Sequence, residues 1–235
     1  MITAKNISYT YENTENKALN SLSFSIEQGE IVGLLGHNGA GKTTLLECLC
    51  GLREVTEGNI FTDNKKEKLS KKISYVPTDL YLYNMLTVEE TILFIGKIYS
   101  LSNQRIMDKA LPLINQFSLY EKLTEYVKNI SFGMKQQLAL ILGILNSPRY
   151  LLLDEPMNGY DALTTNNTKK FLKQYVNNQK AGVLISSHRL DIIEDICDRV
   201  IVINNGILIY QGSIPNLKNE NSLEDALISI LQGEA

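Results

Sequence analysis

A nine-residue stretch constrains the fold of this chain more than any other feature: Gly36-His37-Asn38-Gly39-Ala40-Gly41-Lys42-Thr43-Thr44. It follows an apolar run over residues 31–35 and precedes a helix-like run that begins at Leu45. The stretch satisfies the pattern G-x-x-x-x-G-K-[ST], and that pattern requires a strand before it and a helix after it. We therefore predict a strand–loop–helix unit here.

A loop of this kind has the chemistry of a polyphosphate site. Glycines let the backbone wrap around the phosphates so that amide N–H groups point inward, and the following helix adds the positive end of its dipole. Lys42 would bridge the β- and γ-phosphates, and the Thr43 hydroxyl would hold Mg²⁺. The expected binding residues are Gly36, Asn38, Gly39, Ala40, Gly41, Lys42, Thr43 and Thr44. The alternative is a glycine-rich turn with a solvated lysine.

Composition narrows the class of protein. The 235 residues suffice for one substantial core, and 44% hydrophobic and 21% charged residues are ordinary for a globular protein. The net charge of −3 indicates no basic face, so no nucleic acid partner is expected. The longest apolar stretch, at residues 138–145, is far shorter than the ~20 residues of a membrane span. Three cysteines without a C-x-x-C pair and an opening unlike a secretory signal favour a cytosolic location.

Hydrophobic periodicity predicts one α/β domain with a helical insertion. Alternating apolar residues predict strands before residue 30, and Glu57-Gly58 predicts a turn. The inserted helical patterns open with a capping box at Thr87 and Glu90. Asn205-Gly206 between apolar runs later predicts a hairpin. The expected division is a core lobe (1–83 and 148–220), a helical lobe (84–147) and a C-terminal helix (221–235).

Two further segments place reactive side chains at the carboxyl edge of the predicted sheet. The apolar run 150–153 ends in Asp154, which would bind Mg²⁺ opposite Thr43, and in Glu155, the natural general base for a water that attacks the γ-phosphate. His188 follows the next sheet strand, so its side chain would emerge at the same edge and orient that water. The alternative for Asp154 and Glu155 is a strand that merely ends in solvent. The alternative for His188 is a structural or surface histidine.

These features together resemble the nucleotide-binding subunit of an ATP-binding-cassette (ABC) transporter, and the likeness covers nearly all 235 residues. Residues 130–137 stand where the family carries its L-S-G-G-Q signature, and residues 158–161, which end in Asp161, resemble its D-loop. Tyr11 fits the aromatic residue that stacks on adenine. The resemblance implies a P-loop NTPase (RecA-like) core with an antiparallel β subdomain and an inserted helical subdomain, and it implies hydrolysis of ATP with Mg²⁺.

The resemblance also implies a dimer. Ser131 heads a predicted helix, so its hydroxyl and the free N–H groups beside it form an anion site. In this family that site faces the phosphate loop of a neighbouring subunit, so Ser131 and Gly133 would act in trans. Two chains, identical or paralogous, would sandwich two ATP molecules and separate after hydrolysis.

Three residues depart from the family pattern. Phe132 replaces a signature glycine and Met134 replaces the signature glutamine, a combination that resembles the ABC-2 branch of exporters. Thr78 stands where the family usually has glutamine or glutamate, and it is retained as a candidate metal ligand although its side chain is shorter. Asp79 is the alternative at that place.

The chain is therefore expected to be an ATPase that powers a separate polytopic permease from the cytoplasmic face of the cell membrane. One alternative is a soluble ABC ATPase that acts on DNA, ribosomes or iron–sulfur assembly; such proteins usually have a coiled coil, a second cassette or a basic face. The other is a regulatory module that binds ATP without hydrolysing it. No cargo is predicted, because the membrane subunit usually selects it.

Overall fold

The computed structural model describes residues 1–12, 14–62, 73–218 and 222–232, which form two β-sheets with helices packed around the larger one. The strands are β1 (Ile2–Thr10), β2 (Lys17–Ile26), β3 (Ile31–Leu35), β4 (Glu57–Thr62), β5 (Ile73–Val76), β6 (Tyr150–Asp154), β7 (Gly182–Ser186), β8 (Arg199–Asn204) and β9 (Ile207–Ser213). The helices are α1 (Lys42–Cys50), α2 (Val88–Ile98), α3 (Asn103–Gln116), α4 (Phe132–Ile144), α5 (Ala162–Gln179), α6 (Leu190–Ile196), α7 (Ile214–Lys218) and α8 (Leu223–Gln232).

The larger sheet positions the site. Its strand order is β5-β6-β7-β3-β8-β9, and all neighbours are parallel except the β8–β9 pair. Every residue of β3, β6 and β7 is buried, as expected for parallel strands covered by helices on both faces. Because these three strands are neighbours and parallel, their carboxyl ends lie side by side at one edge of the sheet.

The smaller sheet is antiparallel with the order β2-β1-β4, and it contains a strand that the sequence did not predict. The predicted turn at Glu57-Gly58 was wrong, because both residues begin β4. Gly58 has a φ of 81°, and a Cβ there would lie 2.3 Å from the carbonyl oxygen of Asn6. This glycine therefore permits a close backbone approach at a break in the β1–β4 register, where a turn had been inferred.

The helical insertion forms between β5 and β6 in the chain, as predicted. The Glu90 N–H donates to the Thr87 hydroxyl at 3.1 Å, and the Thr87 N–H donates to the Glu90 carboxylate at 2.8 Å, which completes the capping box at the start of α2. In α4, a Cβ added to Gly143 would lie 2.7 Å from the side chain of Val76, so this helix packs closely on β5. We propose residues 84–147 as the extent of the helical lobe.

The end of the chain agrees with its predicted elements. Asn205 and Gly206 have φ values of 47° and 74°, the left-handed pair that a tight primed turn requires, and they join β8 to β9. The C-terminal helix forms as α8, within the part of the segment 221–235 that the structure describes. In the described ranges, no helix combines the length and apolar character needed to cross a membrane.

Candidate active site

The phosphate loop connects β3 to α1 in a backbone conformation that needs glycine. Gly41, the N-cap of α1, has a φ of 105°, and a Cβ there would lie 2.8 Å from the carbonyl oxygen of Ala18. A Cβ at Gly36 would lie 2.4 Å from the carbonyl oxygen of Ile203. A Cβ at Gly39 would meet nothing within 4 Å, so the loop presents an open surface there. The predicted strand–loop–helix unit is thus present.

Lys42 holds its amino group over this loop. The Nζ donates to the carbonyl oxygens of Gly36 at 2.8 Å and His37 at 3.1 Å. Burial lowers the pKa of Lys42, and the nearby Glu155 and Asp154 carboxylates oppose that shift. The loop therefore carries a partly buried cation beside two carboxylates, an arrangement suited to a polyanion that can replace the carbonyl contacts.

Asp154 is buried and both of its carboxylate oxygens accept hydrogen bonds. The Thr43 hydroxyl donates to Oδ2 at 2.7 Å, and the Ser186 hydroxyl donates to Oδ1 at 2.5 Å. Thr43 and Asp154 together offer the hard oxygen atoms that Mg²⁺ prefers. Within the described residues there is no group of three or more His, Cys, Asp or Glu side chains that could hold a metal ion.

Glu155 adopts a left-handed backbone conformation that is uncommon for a residue with a side chain. Its φ is 51°, and its N–H donates to the Ser186 carbonyl oxygen at 3.2 Å and to the Ser186 hydroxyl at 3.1 Å. Its Oε2 lies 2.8 Å from Nδ1 of His188. The Glu155 side chain is 16% exposed and that of His188 is 61% exposed. The backbone thus aims a largely shielded carboxylate at an accessible imidazole.

A cavity of about 360 Å³ brings these segments together. It is lined by Tyr11, Ala18, Asn38, Gly39, Gly41, Lys42, Thr43, Thr44, Thr78, Asp154 and Glu155. Most of the residues predicted for one site therefore do meet. Gly36 and Ala40 shape the loop beneath the cavity, and His188 reaches the group through Glu155.

Tyr11 and Thr78 lie at this cavity with their hydroxyl groups already engaged. The Tyr11 hydroxyl is 2.7 Å from the Thr44 hydroxyl, and the ring is 37% exposed. The Thr78 hydroxyl donates to the main-chain carbonyl of Asp154 at 3.0 Å. Asp79, the alternative to Thr78, is exposed and does not line the cavity. Thr78 therefore supports the end of β6. Because its hydroxyl hydrogen points to the Asp154 carbonyl, a metal ion could bind only the lone pairs of the hydroxyl oxygen.

A second group of predicted residues lies outside the cavity. Ser131 caps α4 by accepting a hydrogen bond from the Met134 N–H at 3.2 Å. Asp161 caps α5 by accepting from the Thr164 N–H at 2.7 Å. A Cβ at Gly133 would lie 3.2 Å from the carbonyl oxygen of Gly159, so the signature segment and the D-loop-like segment touch each other within one chain. Neither the signature segment nor the D-loop-like segment contributes a residue to the lining of the cavity.

Comparisons with known proteins agree with this geometry. The family model described as "ABC transporter" matches residues 19–158. The chain belongs to the ABC transporter family. The ABC transporter ATP-binding protein NatA of Bacillus subtilis is 31% identical over 233 residues, 96% of this chain and 94% of the relative. The linearmycin resistance ATP-binding protein LnrL of the same organism is 31% identical over 222 residues, 92% of this chain and 70% of the relative.

Solved structures show the same architecture. The structure of an ATP-binding subunit of an ABC transporter superposes with a TM-score of 0.87 at 28% identity, covering 98% of this chain and 99% of the other. These comparisons confirm the predicted family and the α/β P-loop fold. The chain is an ABC-type ATPase that powers a membrane transporter.

One residue that positions the site of this ABC ATPase escaped the sequence analysis. Ser186 ends β7 and is fully buried, and its hydroxyl connects the Asp154 carboxylate to the Glu155 N–H. The available signal was a serine at the end of a buried apolar strand two residues before His188. A buried hydroxyl needs a partner, and the neighbouring strand in a parallel sheet is where that partner lies.

Proposed function

We propose that this ABC ATPase works as a dimer that binds two MgATP molecules between its protomers and hydrolyses them to drive export through a separate membrane permease. The observation that carries the proposal is the cavity in which the phosphate loop, Asp154 and Glu155 converge, with His188 bonded to Glu155. This arrangement combines a phosphate cradle, a pair of oxygen ligands and a shielded base, which are the parts that phosphoryl transfer to water requires.

Each binding residue has a role that follows from its position. Tyr11 stacks on the adenine base, and Thr44, bonded to the Tyr11 hydroxyl, keeps that ring next to the phosphate loop. Backbone N–H groups at residues 38, 39 and 41–44 and the Lys42 ammonium bind the phosphates, while the Ala40 N–H donates to the His37 carbonyl oxygen within the loop. Thr43 and Asp154 would hold Mg²⁺, which would supply charge neutralisation to the phosphates. Thr78 steadies Asp154 through the main-chain carbonyl of Asp154.

Glu155 acts as the general base. A water oxygen attacks the γ-phosphorus, Glu155 accepts the proton of that water, and the bond to ADP breaks to leave ADP and phosphate. The contact between Nδ1 of His188 and Oε2 of Glu155 supports a role for His188 in fixing the direction of that carboxylate. The exposed imidazole is then free to contact the γ-phosphate.

The dimer completes the site. Ser131 and Gly133 at the start of α4 lie outside the protomer's own cavity, and Ser131 offers a hydroxyl at a helix N-terminus, where an anion is favoured. Asp161, the N-cap of α5, belongs to the segment 158–161 that Gly133 touches. We assign this group to the γ-phosphate of a second copy or of a paralogous subunit.

The variant Glu155→Gln tests the chemistry. Phosphate release should fall by roughly 10³-fold, because a general base contributes on the order of 10²–10⁴, while ATP binding persists. Light scattering should then show ATP-dependent dimers. The matched control is Glu30→Gln, because Glu30 is equally shielded but pairs with Arg199 away from the cavity. That variant should lose stability and keep its rate. Hydrolysis by Glu155→Gln at the parental rate would refute the assignment of the base.

A surface patch supports docking to a permease on the cytoplasmic side of the membrane. Large apolar side chains are exposed on the segment after β5, on α2 and nearby: Tyr81, Tyr83, Met85, Phe94, Ile98, Tyr99 and Tyr126. Tyr81 is 89% exposed and Met85 is 69% exposed. A groove of about 240 Å³ runs beside Tyr81 between α2 and α4. Exposed apolar patches of this kind mark protein interaction sites.

Affinity capture from detergent-solubilised membranes tests the partner. The parental protein should recover a polytopic membrane protein, and Tyr81→Ser with Met85→Ser should lose it. Ile228→Ser, which alters an exposed apolar residue of α8, is the matched control. Recovery of nucleic acid alone would favour the non-transport alternative. Export is supported by the resistance function that LnrL is named for, and cells without the gene should become sensitive to a toxic compound. Loss of nutrient uptake would contradict export.

A further inference from the structure

Arg53, just after α1, lies against the ring of Tyr11. Its guanidinium carbon is 4.8 Å from the centroid of the Tyr11 ring and 5.6 Å from that of Tyr9. Its Nη1 donates to the Tyr9 hydroxyl at 3.2 Å, and its Nε donates to the carboxylate of Glu47 in α1. Arg53 therefore connects the end of β1, which leads to Tyr11, with the helix that begins at the phosphate loop.

The Tyr11 ring is held from three directions. The guanidinium of Arg53 covers one part of the ring, and Tyr9 meets it edge-on with centroids 5.1 Å apart and planes at 87°. The Tyr11 hydroxyl is bonded to Thr44. Arg53 is itself fixed, since Glu47 and Tyr9 both accept its hydrogen bonds and its main-chain N–H donates to the Glu47 carbonyl oxygen at 3.2 Å.

We propose that Arg53 is a positioning residue for the nucleobase: it presets the Tyr11 ring so that a purine can stack on it. This inference rests on the proposed role of Tyr11 in binding adenine. A ring that is already ordered loses less conformational freedom when the base binds, so Arg53 increases affinity for nucleoside triphosphates and not for the phosphate chain alone. A guanidinium suits this role because it is planar and can stack and donate hydrogen bonds at the same time.

The test compares MgATP with magnesium tripolyphosphate, which has the phosphate chain and no base, by calorimetric titration of the full chain. Arg53→Met keeps much of the side-chain stem and removes the cation. We expect it to weaken ATP binding by roughly five-fold, the scale of a cation–π contact at a partly exposed site, and to leave tripolyphosphate binding unchanged. KM for ATP should rise by the same factor with kcat unchanged. Arg53→Lys should restore only part of the affinity.

Two further variants test whether Arg53 acts on nucleotide binding through the Tyr11 ring. Arg199→Met removes an arginine that also pairs with a glutamate, Glu30, but far from Tyr11, and it should leave both affinities unchanged. Tyr11→Ala should weaken ATP binding by roughly ten-fold, because stacking on one base contributes about 1–3 kcal/mol, and adding Arg53→Met should weaken it no further.

The outcomes that overturn the inference are distinct. If Arg53→Met weakens ATP and tripolyphosphate equally, Arg53 acts through α1 on the phosphate loop and not on the base. If it changes neither affinity, Arg53 has no role in nucleotide binding. If Tyr11→Ala leaves ATP affinity intact, the role proposed for Tyr11 fails and the inference fails with it, while the assignments of Lys42 and Glu155 stand.

Discussion

In the proposed dimer, each triphosphate lies between the α1 N-terminus of one protomer and the α4 N-terminus of its partner, and these two helix ends are built differently. At α1 the N-cap is Gly41, which has no side chain to satisfy the first N–H groups of the helix. At α4 the N-cap is Ser131, whose hydroxyl already accepts the Met134 N–H. The first helix thus leaves its first N–H groups available for a ligand, and the second is capped by its own chain.

The difference indicates that the two helix N-termini have different roles. The α1 end lies in a cavity with a cation, two carboxylates and an aromatic ring, the groups that we propose bind the nucleotide within one protomer. The α4 end lies outside that cavity, and beside it Phe132 is 50% exposed. Its own serine caps it, and we propose that it serves a partner's site when two protomers meet. Loss of α1 residues should therefore abolish binding, and loss of α4 residues should abolish turnover.

The largest effect is expected for Lys42→Met. This change keeps the side-chain length and removes the ammonium, whose charge-assisted hydrogen bonds to phosphate contribute about 1.5–3 kcal/mol each. ATP affinity should fall by roughly 100-fold or more, and hydrolysis should be lost with it. Calorimetric titration and phosphate release measure the two quantities.

The matched control for this variant is Lys109→Met. The Lys109 amino group also donates to a main-chain carbonyl, that of Leu145 at 2.9 Å, and burial also lowers its pKa. It lies at the other end of α4, away from the nucleotide cavity, so its removal should leave ATP affinity unchanged. If Lys42→Met bound ATP as the parental protein does, the comparison of the two helices would fail.

The second effect concerns Ser131→Asp. Aspartate is as good an N-cap as serine, so α4 should stay stable, but its negative charge repels a partner's γ-phosphate. Hydrolysis should fall by roughly 100-fold, the scale of removing one donor that stabilises transition-state charge. ATP affinity of the protomer should stay within about twofold, because Ser131 does not line its cavity.

Ser102→Asp is the control, since Ser102 caps α3 in the same way through the Arg105 N–H. It should keep full activity. A Ser131→Asp variant that hydrolyses ATP normally would show that the α4 end takes no part in turnover.

The same contrast separates what local sequence predicts from what it cannot. The phosphate loop, the Asp154–Glu155 pair and the hairpin at Asn205-Gly206 are encoded in contiguous residues with defined backbone needs, so the sequence predicts all three. Ser186 and Arg53 act through partners far away in the chain, at Asp154 and Tyr11. The end of a buried apolar strand marks Ser186 only weakly, and no short pattern marks Arg53. Gly58 misled because a glycine that admits a neighbouring backbone looks identical to a glycine that makes a turn.

A third effect concerns stability. Gly41→Ala forces a side chain into a left-handed conformation and against the Ala18 carbonyl oxygen, so we expect a loss of about 2 kcal/mol or more. Gly133→Ala lies within helix α4, where alanine is favoured over glycine by about 1 kcal/mol, and this gain offsets the tight contact with the Gly159 carbonyl oxygen. Urea unfolding measures both. Equal losses would show that the two helix ends do not differ in backbone constraint.

The smallest effect is expected for Met134→Gln, which restores the signature glutamine. Glutamine could accept a hydrogen bond from the Ser131 N–H and complete a capping box like that of Thr87 and Glu90 in α2. Met134 also packs against the core, and losing that contact opposes the gain. We expect a stability change within about 0.5 kcal/mol. Glu90→Met, which opens the box in α2, is the reverse control. We expect ATP hydrolysis to depend on the Ser131 cap of α4 and not on the residue at position 134. A large change in hydrolysis with Met134→Gln would contradict this.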